Sequence, residues 1–160
     1  MLADHQPEST PMKLSAAASG SPDVIVVGEA LIDVVLSQGG AVEHPGGSPA
    51  NVAYGLARLG VSTGFLTAIG KDDRGNAIRR HLTGAGVELL PGSQSMATTS
   101  TATATLADDG SASYLFDLAW QLAPVTPTYV PKLLHTGSIA SFLAPGATGV
   151  KCILQHCAGI

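Results

Sequence analysis

No apolar run in the 160 residues approaches the ~20 that a membrane-crossing helix requires. Charge is scarce as well. Only 12% of residues are charged and the net charge is −4, so neither nucleic acid nor an anionic membrane is implied as partner. Arg79-Arg80 is the densest basic pair and reads as a solvated helix face. Cys152 and Cys157 are the two cysteines, too few for a disulfide framework. With His156 between them they crowd one stretch without zinc-ligand spacing, so free thiols of a cytoplasmic protein are expected and no metal site is assigned. Residues 1–12 include Asp4, Pro7, Glu8 and Pro11 in place of the apolar stretch of a secretory signal. Neither a GxxxxGK[ST] loop nor a GxGxxG segment occurs.

What is present is a globular composition, 45% hydrophobic, in a length suited to one sizeable domain. Residues 1–22 are rich in Ala, Ser, Pro and Gly and read as a flexible lead-in, with Met12 a possible alternative start. Val24 to Val27, ending at Gly28, has the continuous apolar pattern of a strand buried on both faces of a parallel sheet. Leu31 to Leu36 is a second extended piece leading to a turn at Gln38-Gly39-Gly40. Ser48 is the expected N-cap of a helix with Pro49 in its first turn and Gly60 just past its end. Thr63 to Ile69 reads as another buried strand. Asp72 or Asp73 caps a helix running to about Thr83, closed by Gly84 and Gly86. Strand and helix alternating in this order imply a mostly parallel α/β sheet.

The pattern changes at Thr99. Thr99, Thr101, Thr103 and Thr105 alternate with small residues, Asp108-Asp109-Gly110 is a hairpin turn, and Ala112, Tyr114 and Phe116 alternate on the return. An antiparallel hairpin inserted into an α/β chain forms a separate flap. Leu133 to Thr136 reads as a further core strand, and a helix starting near Gly146 is expected to be still running at Ile160.

The run Gly46-Gly47-Ser48-Pro49-Ala50-Asn51-Val52-Ala53 carries the most chemistry. Paired glycines let main-chain groups approach a small polar ligand, while the Asn51 amide supplies a donor and an acceptor in a fixed direction. With Gly60 and Gly70 in register, the opening Gly28-Glu29-Ala30-Leu31-Ile32-Asp33, the segment Gly70-Lys71-Asp72-Asp73-Arg74-Gly75 and Leu134-His135-Thr136-Gly137-Ser138, the chain from about Val24 onward resembles the ribokinase-like (PfkB-type) carbohydrate kinases. The Gly-Gly-Ser-Pro-Ala-Asn form is most similar to fructokinases. Where Ser48 stands, ribokinase-type and phosphosugar-type members more often carry a lysine, so a phosphorylated substrate is disfavoured.

The resemblance implies residues 23–160 as the N-terminal part of such a domain, with a small antiparallel β lid from about 31–45 and 99–120. It implies Asp33 as a carboxylate accepting hydrogen bonds from sugar hydroxyls, with a turn or capping role as the plainer alternative. It implies Gly46 and Gly47 as the glycines lying against the sugar, Asn51 as its amide partner, and Ala102 and Phe116 as lid contacts, Phe116 being equally readable as plain lid packing. The family transfers the ATP γ-phosphoryl group to a sugar hydroxyl with magnesium, using a general-base aspartate in a Gly-Ala-Gly-Asp segment. None occurs here: Gly84-Ala85-Gly86 is followed by Val87. No catalytic residue is therefore assigned, and the chain reads as a truncated kinase, inactive alone. A non-catalytic sugar-binding or regulatory fragment paired with a separately encoded half is the alternative, and an unrelated nucleotide-binding α/β domain a third. Pairing of two copies through the lid is implied by some family members. Which sugar is bound stays open, with fructose favoured by the resemblance.

Overall fold

The computed structural model describes residues 12–14, 20–106, 111–122 and 125–159. The expected turn at Asp108-Asp109-Gly110 lies outside them. Among the described residues, ten strands and three helices follow in the order β1 (Met12–Leu14), β2 (Val24–Val27), β3 (Leu31–Ser37), β4 (Gly40–Gly46), α1 (Ser48–Arg58), β5 (Thr63–Leu66), α2 (Asp73–Gly84), β6 (Glu88–Leu89), β7 (Thr101–Leu106), β8 (Ala112–Asp117), β9 (Val125–Pro127), β10 (Leu133–Thr136) and α3 (Gly146–Ala158). They form an α/β fold of the expected kind.

The main sheet is parallel, with strand order β10-β2-β5-β6. β2 lies between β10 and β5 and all four of its residues are buried. Its alternating side chains divide between two cores, as a period of two requires. Val24 and Val26 join Ala50, Ala53, Ile78 and Leu82 beneath α1 and α2. Ile25 and Val27 join Trp120, Val150 and Ile153 beneath α3. Full burial of such side chains contributes about 1.5–3 kcal/mol each, an upper estimate because the unfolded chain is itself partly collapsed.

A second sheet has the order β4-β3-β7-β8. β3 with β4 and β7 with β8 are antiparallel hairpins, and β3 runs parallel to β7 between them. The lid is thus two hairpins joined edge to edge through a parallel pair. Ile32 and Val34 of β3 are buried in the same core as α1 and α2, which ties the lid's inner face to the body.

Local signals mostly act as the sequence indicates, with three differences. Ser48 is already helical, while Gly47 takes the N-cap position at φ 103° and its carbonyl accepts the Asn51 N–H at 3.0 Å. α3 closes at Ala158, with Gly159 left-handed at φ 73°, instead of running on. Within the segment read as a lead-in, Met12–Leu14 pairs parallel with Val125–Pro127. At the other end of α1 the chain turns through Gly60 at φ 82°, as its sequence position implies. α2 is capped by Asp72, whose side chain accepts the Gly75 N–H at 2.8 Å. Among the described residues no helix is long and apolar enough to cross a membrane.

Candidate functional site

An open cleft of about 590 Å³ lies between the lid sheet and the ends of the main-sheet strands. Asp33, Gly47, Asn51, Ala102 and Phe116 line it, together with Glu29, Leu31, Ser48, Val52, Ser138 and Ile139. Five of the six residues singled out in the sequence therefore surround one cavity. The sixth, Gly46, is not part of the lining.

Sheet register explains one wall. Asp33 on β3 is opposite Ala102 on β7, and Ala102 is opposite Phe116 on β8. Residues directly opposite share a face, so a carboxylate, a methyl group and an aromatic ring stand side by side. On the other flank Asp33 is opposite His44 of β4. Burial pushes the Asp33 carboxyl above its ordinary value, and the nearby His44 charge only partly offsets this. A partly desolvated carboxylate facing a cleft is a strong acceptor for ligand hydroxyls.

The paired glycines serve two different purposes. At Gly46 an added Cβ would overlap Asp33 Oδ2. A glycine here is what leaves room for the Asp33 carboxylate to lie across β4. At Gly47 an added Cβ would stand 2.7 Å from the Glu29 carbonyl oxygen and 3.0 Å from Ala30 Cα, on a backbone that side chains rarely adopt. That close approach packs the start of α1 against the β2–β3 connection. Asn51, one turn into α1, is exposed at the cleft.

Glu29, which is 8% exposed, has no role in the reading of the sequence. Its Oε1 accepts from Ser138 Oγ at 2.9 Å and from Ser138 N–H at 3.3 Å, and its Oε2 accepts from Ala140 N–H at 3.0 Å. The loop after β10 is thereby fixed to the end of β2. Those partners are 109 and 111 residues away, so no local pattern could show the pairing. The available sequence signal was its place in Gly28-Glu29-Ala30-Leu31-Ile32-Asp33, two residues past a buried strand.

A neighbouring network is structural. Asp72 takes the Thr99 hydroxyl at 2.6 Å and the Thr99 N–H at 2.8 Å in addition to its cap bond. Burial opposes ionisation there, yet the Thr99 hydroxyl and the Gly75 and Thr99 amides outweigh it and hold the Asp72 carboxyl below its ordinary value. Arg74 in turn pairs with Glu43 of β4, its Nε 3.1 Å from Oε2. The Gly70–Gly75 segment thus fixes the lid to the α2 end of the body and contributes nothing to the cleft lining.

Residues 21–127, more than half of the chain, match the profile described as pfkB family carbohydrate kinase. The chain belongs to the pfkB family of carbohydrate kinases. Among curated pfkB relatives, a fructokinase from Escherichia coli is 35% identical over 150 residues, covering 87% of this chain and 49% of that protein. Among solved structures, the apo form of a fructokinase from Vibrio cholerae O395 superposes with a TM-score of 0.73 at 25% identity, over 88% of this chain and 51% of that one. A double mutant of the Vibrio enzyme, described as bound to fructose, ADP and a potassium ion, superposes with a TM-score of 0.66 at 22% identity, over 88% of this chain and 49% of that one. The chain spans about half the length of these relatives. As a member of the family it is fructokinase-like.

Proposed function

We propose that this chain is the sugar-binding part of a carbohydrate kinase that moves the ATP γ-phosphoryl group to a hydroxyl of fructose. The observation that carries the reading is the meeting of Asp33 and Asn51 around one cleft beside the Gly47 turn. The carboxylate accepts from sugar hydroxyls, the amide both accepts and donates, and Ala102 and Phe116 cover the apolar side of the ring. Ser48 brings no fixed cation, which favours a free sugar over a phosphosugar. A Vibrio fructokinase of the same fold, described with fructose and ADP, supports the choice of sugar and nucleotide. Free thiols at Cys152 and Cys157 suit a cytoplasmic protein.

The described residues do not fit magnesium and the nucleotide phosphates. Both Glu29 oxygens are engaged by Ser138 and Ala140, and Asp72 is engaged by Thr99 and Gly75. Among the described residues no group of three His, Cys, Asp or Glu is placed to hold a metal ion. We therefore assign phosphoryl transfer to groups outside the described residues, in keeping with a sequence that contains no Gly-Ala-Gly-Asp segment. The alternative, a non-catalytic sugar-binding or regulatory fragment that pairs with a separately encoded half, shares the same site.

Calorimetric titration of the 160-residue protein with fructose, beside a coupled assay for ADP release, tests this reading. The expected result is saturable fructose binding without ADP release. Asn51→Ala should weaken binding about 2- to 12-fold, the range for one neutral hydrogen bond. Wild-type protein that binds no sugar overturns the assigned cleft, and robust turnover overturns the division of labour.

A further inference from the structure

The hydrogen-bond polarity around Ser138 extends the proposed sugar site, on which this inference rests. Ser138 is exposed on the cleft wall opposite the lid. Its hydroxyl has one proton and two lone pairs. Glu29 Oε1, 2.9 Å away on a buried side chain, takes that proton, because an ionised carboxylate can only accept. What Ser138 then presents to the cleft is lone pairs.

The arrangement is held from several directions. The Ser138 N–H also points at Glu29 Oε1, and the Ala140 N–H holds Oε2. The Ala140 carbonyl accepts from Trp120 Nε1 at 3.0 Å, and the Trp120 carbonyl accepts the Gly146 N–H at 3.1 Å at the start of α3. The loop carrying Ser138 is therefore braced between the end of β2 and the core under α3, so the hydroxyl cannot reorient by loop movement at low cost.

We propose that Glu29 is a positioning residue that commits the Ser138 proton inward and so makes Ser138 Oγ an acceptor for one hydroxyl of the bound sugar. The site then has an acceptor on each side, Asp33 on the lid and Ser138 on the body, and selects a polyol that donates in both directions. Substitution of Glu29 by glutamine disturbs this polarity in a definite way. The amide has one accepting oxygen and one donating nitrogen, so it cannot accept from Ser138 and Ala140 through separate atoms as the carboxylate does. If the nitrogen faces Ser138, the serine must accept from it and its own proton turns toward the cleft.

Fructose and the monodeoxy-fructoses are titrated calorimetrically into wild-type protein, Ser138→Ala, Ser138→Thr and Glu29→Gln. Ser138→Ala should bind fructose about tenfold more weakly, near the upper end for one hydrogen bond, while Ser138→Thr, which keeps the hydroxyl, retains most of the affinity. One deoxy analogue should lose a similar factor against wild type and nothing further against Ser138→Ala. A purely structural serine would not produce that match between one ligand hydroxyl and one side chain. Glu29→Gln should weaken fructose binding in the wild-type background and add little when Ser138 is already alanine.

Fructose binding by Ser138→Ala at wild-type strength overturns this inference and leaves the sugar site standing. Wild-type protein that binds no fructose overturns the sugar site and the inference with it. If Glu29→Gln does not fold, the exposed Ser138 variants and the deoxy series decide alone.

Discussion

Asp72 and Thr99 lie 27 residues apart in sequence and meet through two hydrogen bonds, the Thr99 hydroxyl to Oδ1 at 2.6 Å and the Thr99 N–H to Oδ2 at 2.8 Å. One carboxylate thus caps α2 and anchors the chain as it enters β7. Thr99 in turn accepts the Gly70 N–H at 3.0 Å through its hydroxyl oxygen. A single acid thereby organises the approach to both the helix and the lid.

Asp72→Ala removes the cap and both Thr99 bonds, leaving a largely buried hydroxyl and amide without their acceptor. A loss of about 1–3 kcal/mol in unfolding free energy is expected from urea denaturation at pH 7. The sign of the pH dependence follows from the lowered folded-state value. The Asp72 contribution is present in full above its ordinary value of 3.8 and is lost as pH falls through the lower folded-state value. The gap between wild type and Asp72→Ala should therefore narrow below about pH 4. A gap of constant size down to pH 2 would count against the carboxylate as its source.

Asp33 has the opposite sign. Its carboxyl is raised above the ordinary 3.8 by burial, so the folded protein carries a penalty that is absent below that value and present in full at neutral pH. Asp33→Asn should raise the thermal midpoint at pH 7 while weakening fructose binding about 10- to 150-fold, the range for a hydrogen bond to a charged group. Wild-type affinity should fall as the carboxyl becomes protonated in acid. Thermal shift and titration on the same preparation read both effects, and a variant losing stability and affinity together would contradict the assignment.

Gly46→Ala and Gly47→Ala should fail differently. At Gly46 the obstructing atoms belong to the Asp33 side chain, which can swing away, so sugar affinity falls more than stability. At Gly47 they are Glu29 and Ala30 backbone atoms on a φ of 103°, and strain of about 1 kcal/mol or more is expected in the unfolding free energy. Equal thermal midpoints for the two variants would refute this division.

Much of the architecture was legible because its signals are local. Val24–Val27 is apolar throughout and buried throughout. Asp72 or Asp73 is the expected cap of α2, and the structure gives that place to Asp72, whose carboxylate accepts the Gly75 N–H. Ser48 misled because a serine before a proline is a good cap by residue type. Here the positive-φ glycine before it provides the turn, and its carbonyl begins the helical bonding. β6 and β9, of two and three residues, are too short for any periodicity to develop. The Glu29–Ser138 bond is a long-range contact between two ordinary polar residues, and only the folded chain brings them together.

The walls of the cleft belong to two different layers. Asp33, Ala102 and Phe116 ride on the mixed sheet, while Asn51, Ser48, Glu29 and Ser138 ride on the parallel sheet and its helices. Only Gly28, Glu29 and Ala30 connect β2 with β3. The core contacts of Ile32 and Val34, the Asp72–Thr99 bonds and the Arg74–Glu43 pair also join the layers, so the aperture changes only at the expense of those contacts. Under the proposed sugar site, a polyol bonded to both walls would add a rivet to those ties and narrow the spread of apertures.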